Sequence, residues 1–219
     1  MSKVIFVHGF GVLKDARGMF SEIQKKLEEK NFECILFDLN KRDADGNIWV
    51  NSFGEQVKIL SDIYSNLAIK EGEKVNIIAH SQGCLITSLA DLKNINQTIF
   101  LAPPIDSESK KTIDYFSRNT KTEIDFTGIS KIGRSDGSIT FVPAEYWTEK
   151  NNMNPAVVYE KYLKHNKTII IKATKDNVIE NDNYEDVFKN GEILSLETDH
   201  DFTGEGRGLL IKTLLEKMN

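Results

Sequence analysis

The sequence predicts an α/β fold: a doubly wound, mostly parallel sheet of about six strands flanked by helices. Two patterns carry that expectation. Short runs rich in Val, Ile, Leu and Phe recur along the chain without regular polar alternation, as strands buried on both faces do. Amphipathic stretches with apolar residues three and four apart lie between them. Strand and helix therefore alternate, and a parallel sheet with helical crossovers is the architecture that such alternation favours.

The strand runs are 4–7, 33–39, 75–79, 98–101, 168–173 and 192–196. The first helix is marked by Met19, Phe20, Ile23 and Leu27, and the second by Val57, Leu60, Ile63, Tyr64 and Leu67. Cys84, Leu85, Ser88 and Leu89 form a helical stripe directly after the third strand. Val157, Val158 and Tyr162 mark another, and Leu209, Leu210, Thr213 and Leu214 close the chain.

The stretch 105–143 breaks this rhythm. Glu123-Ile124-Asp125-Phe126 and Ser138-Ile139-Thr140-Phe141 alternate polar and apolar residues, with Arg134-Ser135-Asp136-Gly137 between them. Asp-Gly between alternating runs is a strong hairpin signal, because Gly accepts the positive φ of the turn. The stretch reads as a small cap-like insert, part hairpin and part helix, within a single domain spanning 1–219.

Composition narrows the function classes. The 219 residues suffice for one sizeable core, and 40% hydrophobic with 28% charged residues is ordinary for a globular protein. A net charge of -5 argues against nucleic acid or an anionic membrane as partner, since both reward clustered Lys and Arg. Two cysteines, Cys34 and Cys84, make no disulfide framework and read as buried, reduced thiols. No run reaches the length of a membrane span, and His8-Gly9 cuts the first apolar stretch too early for a signal peptide. A cytoplasmic chain is expected. No His/Cys/Asp grouping has metal-ligand spacing. Gly204-Glu205-Gly206-Arg207-Gly208 lacks the strand and Lys-Ser/Thr ending of a phosphate loop. Neither metal nor cofactor is expected.

The sharpest local feature is Val75-Asn76-Ile77-Ile78-Ala79-His80-Ser81-Gln82-Gly83-Cys84. A strand runs through small-x-Ser-x-Gly into a helix, which is the nucleophile-elbow pattern with Ala79 in its first position. The flanking residues must be small because strand and helix pass close together. The new helix aims its N-terminal N–H groups at Ser81. Taken alone, the pentad also fits a plain strand-to-helix turn.

A second feature is Val4-Ile5-Phe6-Val7-His8-Gly9-Phe10-Gly11, a strand ending in His-Gly-x-Gly. Here the chain resembles the α/β-hydrolase fold family, most closely its small bacterial esterases and lipases, over nearly its whole length outside the insert. The resemblance implies a sheet without the N-terminal antiparallel pair of larger relatives. It implies that the backbone N–H groups of Phe10 and Gln82 form an oxyanion hole, each worth about 3–4 kcal/mol in the transition state. It also implies that His8 is structural, bonding backbone within the loop.

In this family the acid and then the base follow the serine. Asp176, after the strand 168–173, looks like the family's acid; Asp106, after the strand 98–101, is the alternative. His200, after the strand 192–196, looks like its base, with Phe202 as the aromatic often found two residues on. Asp199 stands where Gly is more usual. Of the other histidines, His80 within the elbow is expected to point away from the site. His165 reads as a solvated surface residue. The three types suit acyl transfer: imidazole takes the serine proton and returns it to the leaving group, and a carboxylate holds the imidazole tautomer. Asp199 and Asp201 flank His200 too closely in sequence to reach its ring easily, and are expected to act on it only by through-space attraction. Tyr146, Trp147 and Phe116 either line a substrate pocket or belong to the core.

The expected function is cleavage of carboxylic esters of a small molecule through an acyl-serine intermediate. A thioesterase or amidase would use the same residues. A non-catalytic ligand-binding protein on the same scaffold would have no need of all three.

Overall fold

The computed structural model describes residues 2–90, 92–106 and 110–218. Along the chain, β1 (Ser2–Val7), α1 (Met19–Glu28) and β2 (Phe32–Leu36) come first. Next are two short strands, β3 (Lys41–Arg42) and β4 (Ile48–Trp49), and α2 (Phe53–Ser65). The centre of the chain holds β5 (Val75–His80), α3 (Gln82–Leu89), β6 (Ile95–Leu101) and α4 (Lys110–Ser117). A hairpin of β7 (Ile129–Gly133) and β8 (Ile139–Pro143) leads into α5 (Ala144–Asn151) and α6 (Pro155–Leu163). The chain ends with β9 (Thr168–Ala173), α7 (Tyr184–Val187), β10 (Glu192–Leu196) and α8 (Glu205–Lys217).

Six strands form one sheet in the order β10-β9-β6-β5-β1-β2, every pair parallel. These are the six runs read from the sequence, and the fold is that of the α/β hydrolases. The continuous apolar runs have a direct cause. Val4 and Phe6 face a layer built with α1 and α8, through Phe20, Ile23, Leu210 and Leu214. Ile5 and Val7 face the opposite layer, through Leu60, Leu85, Ile86 and Tyr159 of α2, α3 and α6. Ile77 and Ile78, and Ile170 and Ile171, divide between the two layers in the same way. Each strand serves two cores, so it cannot carry polar residues on alternate positions.

The second strand ends earlier than the sequence suggests, at Leu36. Leu39 leaves the sheet because its N–H donates to His8 Nε2 at 2.8 Å, which draws the chain over the loop after β1. The strands that follow, β3 and β4, were not legible in the sequence, since two-residue strands have no periodicity to read. Asp43 Oδ1 accepts the N–H groups of Asp45 and Asn47, and Gly46 sits at φ 85°, closing the turn between them.

These two strands join the insert in a second sheet of order β3-β4-β8-β7. The Arg134–Gly137 turn stands where the sequence placed it: Arg134 N–H donates to Ser138 O at 3.0 Å, and Gly137 has φ 88°. The strand pairing is different. Residues 139–143 pair with 129–133, not with 123–126, which contribute a single bridge from Glu123 to Lys131. Asp125 is the reason. Its carboxylate accepts the N–H groups of Thr127 and Gly128, so the chain turns there and the run nearest the Asp-Gly turn becomes the partner strand. Residues 107–109 of the insert lie outside the described residues. Cys84 is buried as expected, whereas Cys34 is half-buried, with burial and then Glu28 raising its thiol pKa to about 12.

Helix α3 crosses β1 at close range. A Cβ on Gly83 would stand 2.2 Å from the Val7 carbonyl oxygen and 2.7 Å from that of His8. Gly208 in α8 faces open space. Gly83→Ala is therefore expected to destabilise the fold by about 1–3 kcal/mol, while Gly208→Ala raises stability by about 0.5–1 kcal/mol. Urea unfolding midpoints of the two variants check the contrast.

Candidate active site

Ser81 is the hinge between β5 and α3. It has φ 52° and ψ -125°, a conformation that side chains rarely adopt. Its N–H donates to Leu101 O at 2.8 Å, and its own carbonyl accepts the Cys84 N–H at 3.0 Å. The backbone is thus held on both sides of the strained residue, and Oγ is lifted from the C-terminal edge of the sheet.

His200 comes from the loop after β10. Asp199, in place of the usual Gly, shapes that loop by accepting the Thr203 N–H at 2.8 Å through Oδ1. Phe202, at φ 51° and fully buried, anchors it. His200 Nε2 lies 3.0 Å from Ser81 Oγ, and Nδ1 lies 2.6 Å from Asp176 Oδ2. The second carboxylate oxygen of Asp176 accepts the N–H groups of Val178 at 2.8 Å and Ile179 at 3.0 Å. Burial alone would raise the Asp176 pKa. The hydrogen bond and charge of His200, with the two backbone donors, outweigh it and hold the carboxyl below its ordinary value. An ionised Asp176 requires a proton on Nδ1, which leaves the Nε2 lone pair facing the Ser81 hydroxyl. The structure brings Ser81, Asp176 and His200 together. Asp106 lines the same cavity, but His200 Nδ1 is already paired with Asp176.

His80 differs from its sequence reading. It lies beside the site, with its ring centroid 4.9 Å from that of His200, and Nε2–H donates to the His200 carbonyl at 2.9 Å. Burial, then the neighbouring His200, lowers its pKa to about 4. His165 is exposed, as read. His8 is structural: Nε2 accepts the Leu39 N–H, so Nδ1–H donates to Gly9 O at 3.0 Å. Its two bonds fix the loop in front of Ser81. A Cβ on Gly9 would stand 3.0 Å from Ser81 Cβ. Phe10 and Gln82 both line the cavity there. Gln82 opens α3, so its N–H has no acceptor within the helix.

Beyond Ser81 the cavity has an aromatic wall. Phe10 packs 5.8 Å from Phe116 and 5.3 Å from Tyr146, and Trp147 is buried beside them. The two sequence alternatives for Tyr146 and Trp147 thus hold together: both are core residues and both line the cavity. Sequence reasoning missed Gln56, Arg134 and Lys150. Tyr146 OH donates to Gln82 Oε1 at 2.8 Å, Gln82 Nε2 to Gln56 Oε1 at 2.9 Å, and Gln56 Nε2 to Asn51 O at 2.7 Å. A lone Gln or Lys within a helix, or an Arg at a turn, gives no periodic signal of a cavity position.

A family model described as palmitoyl protein thioesterase matches residues 3–198. The chain belongs to this family. No curated protein matches it in sequence. Among solved structures, it is similar to the Est1E protein of Butyrivibrio proteoclasticus, with 16% identity, TM-score 0.70, and 99% of this chain and 86% of that one covered. A methylesterase from Arabidopsis is similar at 16% identity and TM-score 0.64, covering 100% and 99%. Polyneuridine aldehyde esterase follows at 14% identity and TM-score 0.65, with both chains covered in full. At such identities these likenesses speak for the shared fold.

In this member of the palmitoyl protein thioesterase family, the matched span includes Ser81 and Asp176 and stops two residues before His200. His80, His200 and Asp201 offer three ligand atoms within 4.8 Å of one another. Both ring nitrogens of His200 are engaged, however, and so is Nε2 of His80, so the donor set does not fit a metal ion. Among the described residues no helix is long and apolar enough to cross a membrane.

The lowered Asp176 pKa has a stability consequence. Its contribution is fully present above the carboxylate's unfolded pKa of about 3.9 and is lost as pH falls through the lower folded value. Asp176→Asn is therefore expected to flatten the acid limb of stability below about pH 4. Urea midpoints between pH 6 and pH 3, wild type beside variant, measure the difference.

Proposed function

We propose that the chain is a serine hydrolase that cleaves a carboxylic ester bond of a small molecule through an acyl-serine intermediate. The observation that carries this reading is the continuous chain from Ser81 Oγ through His200 to Asp176, at 3.0 Å and 2.6 Å. His200 Nε2 takes the Ser81 proton as Oγ attacks the carbonyl carbon. The N–H groups of Phe10 and Gln82 receive the developing oxyanion. Collapse of the tetrahedral intermediate breaks the bond to the leaving group, which takes the proton from Nε2. Water then attacks the acyl-serine by the same route and releases the acid. Asp176 stays ionised throughout and offsets the imidazolium charge.

Thioester cleavage is the second reading, favoured by the family match. It needs the same residues and a thiolate in place of an alkoxide as leaving group. The cavity lining argues against a long unbranched acyl chain in either case. Arg134 and Asp106 both face it with a buried, unpartnered polar atom, Nη2 and Oδ1, and an extended alkyl chain would leave both desolvated. Helices α4 and α5, with Arg134 just after β7, serve as a cap that supplies part of this lining.

A fluorophosphonate is expected to label wild type and to leave Ser81→Ala unlabelled. Asp176→Asn should lower kcat on p-nitrophenyl esters by about four orders of magnitude, the loss seen when a triad carboxylate no longer holds the histidine tautomer. Absence of labelling in a folded wild-type chain would remove the serine-hydrolase reading and favour a ligand-binding protein. Parallel acyl-thioester turnover separates the two leaving groups.

A further inference from the structure

Arg134 is a charged group in the cavity for which the acyl-transfer reading has no use. It leaves the end of β7 at the start of the hairpin turn, yet it is only 8% exposed. Its Nε donates to Thr140 Oγ1 at 2.8 Å. The guanidinium carbon lies 4.7 Å from the Phe116 ring centre and 5.7 Å from that of Phe10. Nη2 is buried with no hydrogen-bond partner among the described residues, and no carboxylate there lies within ion-pair distance of Arg134.

A buried guanidinium without an anion is costly, because two or more N–H donors give up water and gain nothing in return. The chain nevertheless makes room for it. Gly11, at φ +60°, has no side chain where one would collide: a Cβ there would stand 1.9 Å from Nη2. Arg17 lines the same cavity, and its own carboxylate partner is Asp201, at 3.3 Å. Burial first, then the like charge of Arg17, lowers the Arg134 pKa to about 9, which still leaves it protonated at neutral pH. Lys150, which also lines the cavity, is buried as well and donates to the Asp106 carbonyl at 3.2 Å.

We propose that Arg134, supported by Arg17, binds an anionic oxygen group carried by the ester substrate, a carboxylate or a phosphate on the part of the molecule beyond the scissile carbonyl. Guanidinium donors match both groups in geometry and charge. The aromatic faces of Phe10 and Phe116 exclude water from the contact and strengthen it. The inference rests on the serine-hydrolase reading for its placement relative to Ser81. The anion site itself does not depend on turnover.

Two measurements separate the failures. The first compares kcat/KM for p-nitrophenyl hemiglutarate with that for p-nitrophenyl pentanoate, its neutral analogue of equal acyl length. Wild type is expected to favour the hemiglutarate, and Arg134→Gln to lower the ratio of the two by about tenfold to a hundredfold, mainly through KM. Arg134→Lys should restore part of the ratio, since it keeps the charge and loses the fork. An unchanged ratio in Arg134→Gln would overturn the proposal and leave Arg134 as a structural link between hairpin and loop. The second titrates Ser81→Ala, with and without Arg134→Gln, against glutarate and against inorganic phosphate by calorimetry. Binding of either anion that Arg134→Gln abolishes supports the site even if no ester is cleaved, and the tighter of the two identifies the group. Binding of neither anion, or equal binding with and without Arg134, would overturn it.

Discussion

The close approach of α3 to β1 is the constraint on which the site depends. Gly83 lets the helix lie against the carbonyl oxygens of Val7 and His8, a contact that any side chain would prevent. To reach that position the chain must leave β5 and enter the helix within one residue. Ser81 absorbs the turn at φ 52°, at a cost of about 1–3 kcal/mol for such a backbone. The two apolar layers and the Leu101 and Cys84 hydrogen bonds offset that strain. The same contact sets the loop after β1 beside Ser81, so one packing decision places both the hydroxyl and the loop that faces it.

The cap is tied to this arrangement by buried polar groups rather than by apolar contact alone. Tyr146 on α5, Gln82 on α3 and Gln56 on α2 form a relay that ends on the Asn51 carbonyl, and Asn51 Nδ2 donates to Leu39 O at 2.8 Å. Leu39 in turn donates to His8. A fully satisfied buried network is rigid, because each broken member strands a desolvated partner. Gln82 therefore has two tasks. Its backbone opens α3 beside Ser81, and its side chain fixes the distance between the elbow and the cap.

What the sequence could reveal follows from where each kind of signal arises. The six sheet strands were legible because burial on both faces leaves long apolar runs. Ser81, Asp176 and His200 were legible because each follows such a strand at its C-terminal end, and their order is shared across a family. The Arg134–Gly137 turn was legible from Asp136-Gly137. The pairing of that hairpin was not, because Asp125 terminates one alternating run through a side-chain hydrogen bond that has no periodic mark. The two-residue strands at Lys41 and Ile48 are defined by tertiary pairing, the second against β8 and the first against the second. Arg134 and Lys150 look like surface charges in sequence and become cavity residues only when the cap folds over the sheet.

His80 shows how burial serves the proposed chemistry at a distance from the reacting atoms. Its Nε2–H holds the backbone of His200, which fixes where the base stands relative to Ser81. Its other nitrogen is buried and unpartnered. A second imidazolium 4.9 Å from His200 would oppose the positive charge that His200 must acquire as it takes the serine proton. Burial prevents this by keeping His80 neutral down to about pH 4. On the far side of His200, Asp176 is held ionised by two backbone N–H groups. The carboxylates of Asp176 and Asp201 thus both stand near the base, and His80 adds no opposing charge. Arg17 is tied to Asp201 beside His200, whereas Arg134, set against the rings of Phe10 and Phe116, keeps donors available to a substrate anion.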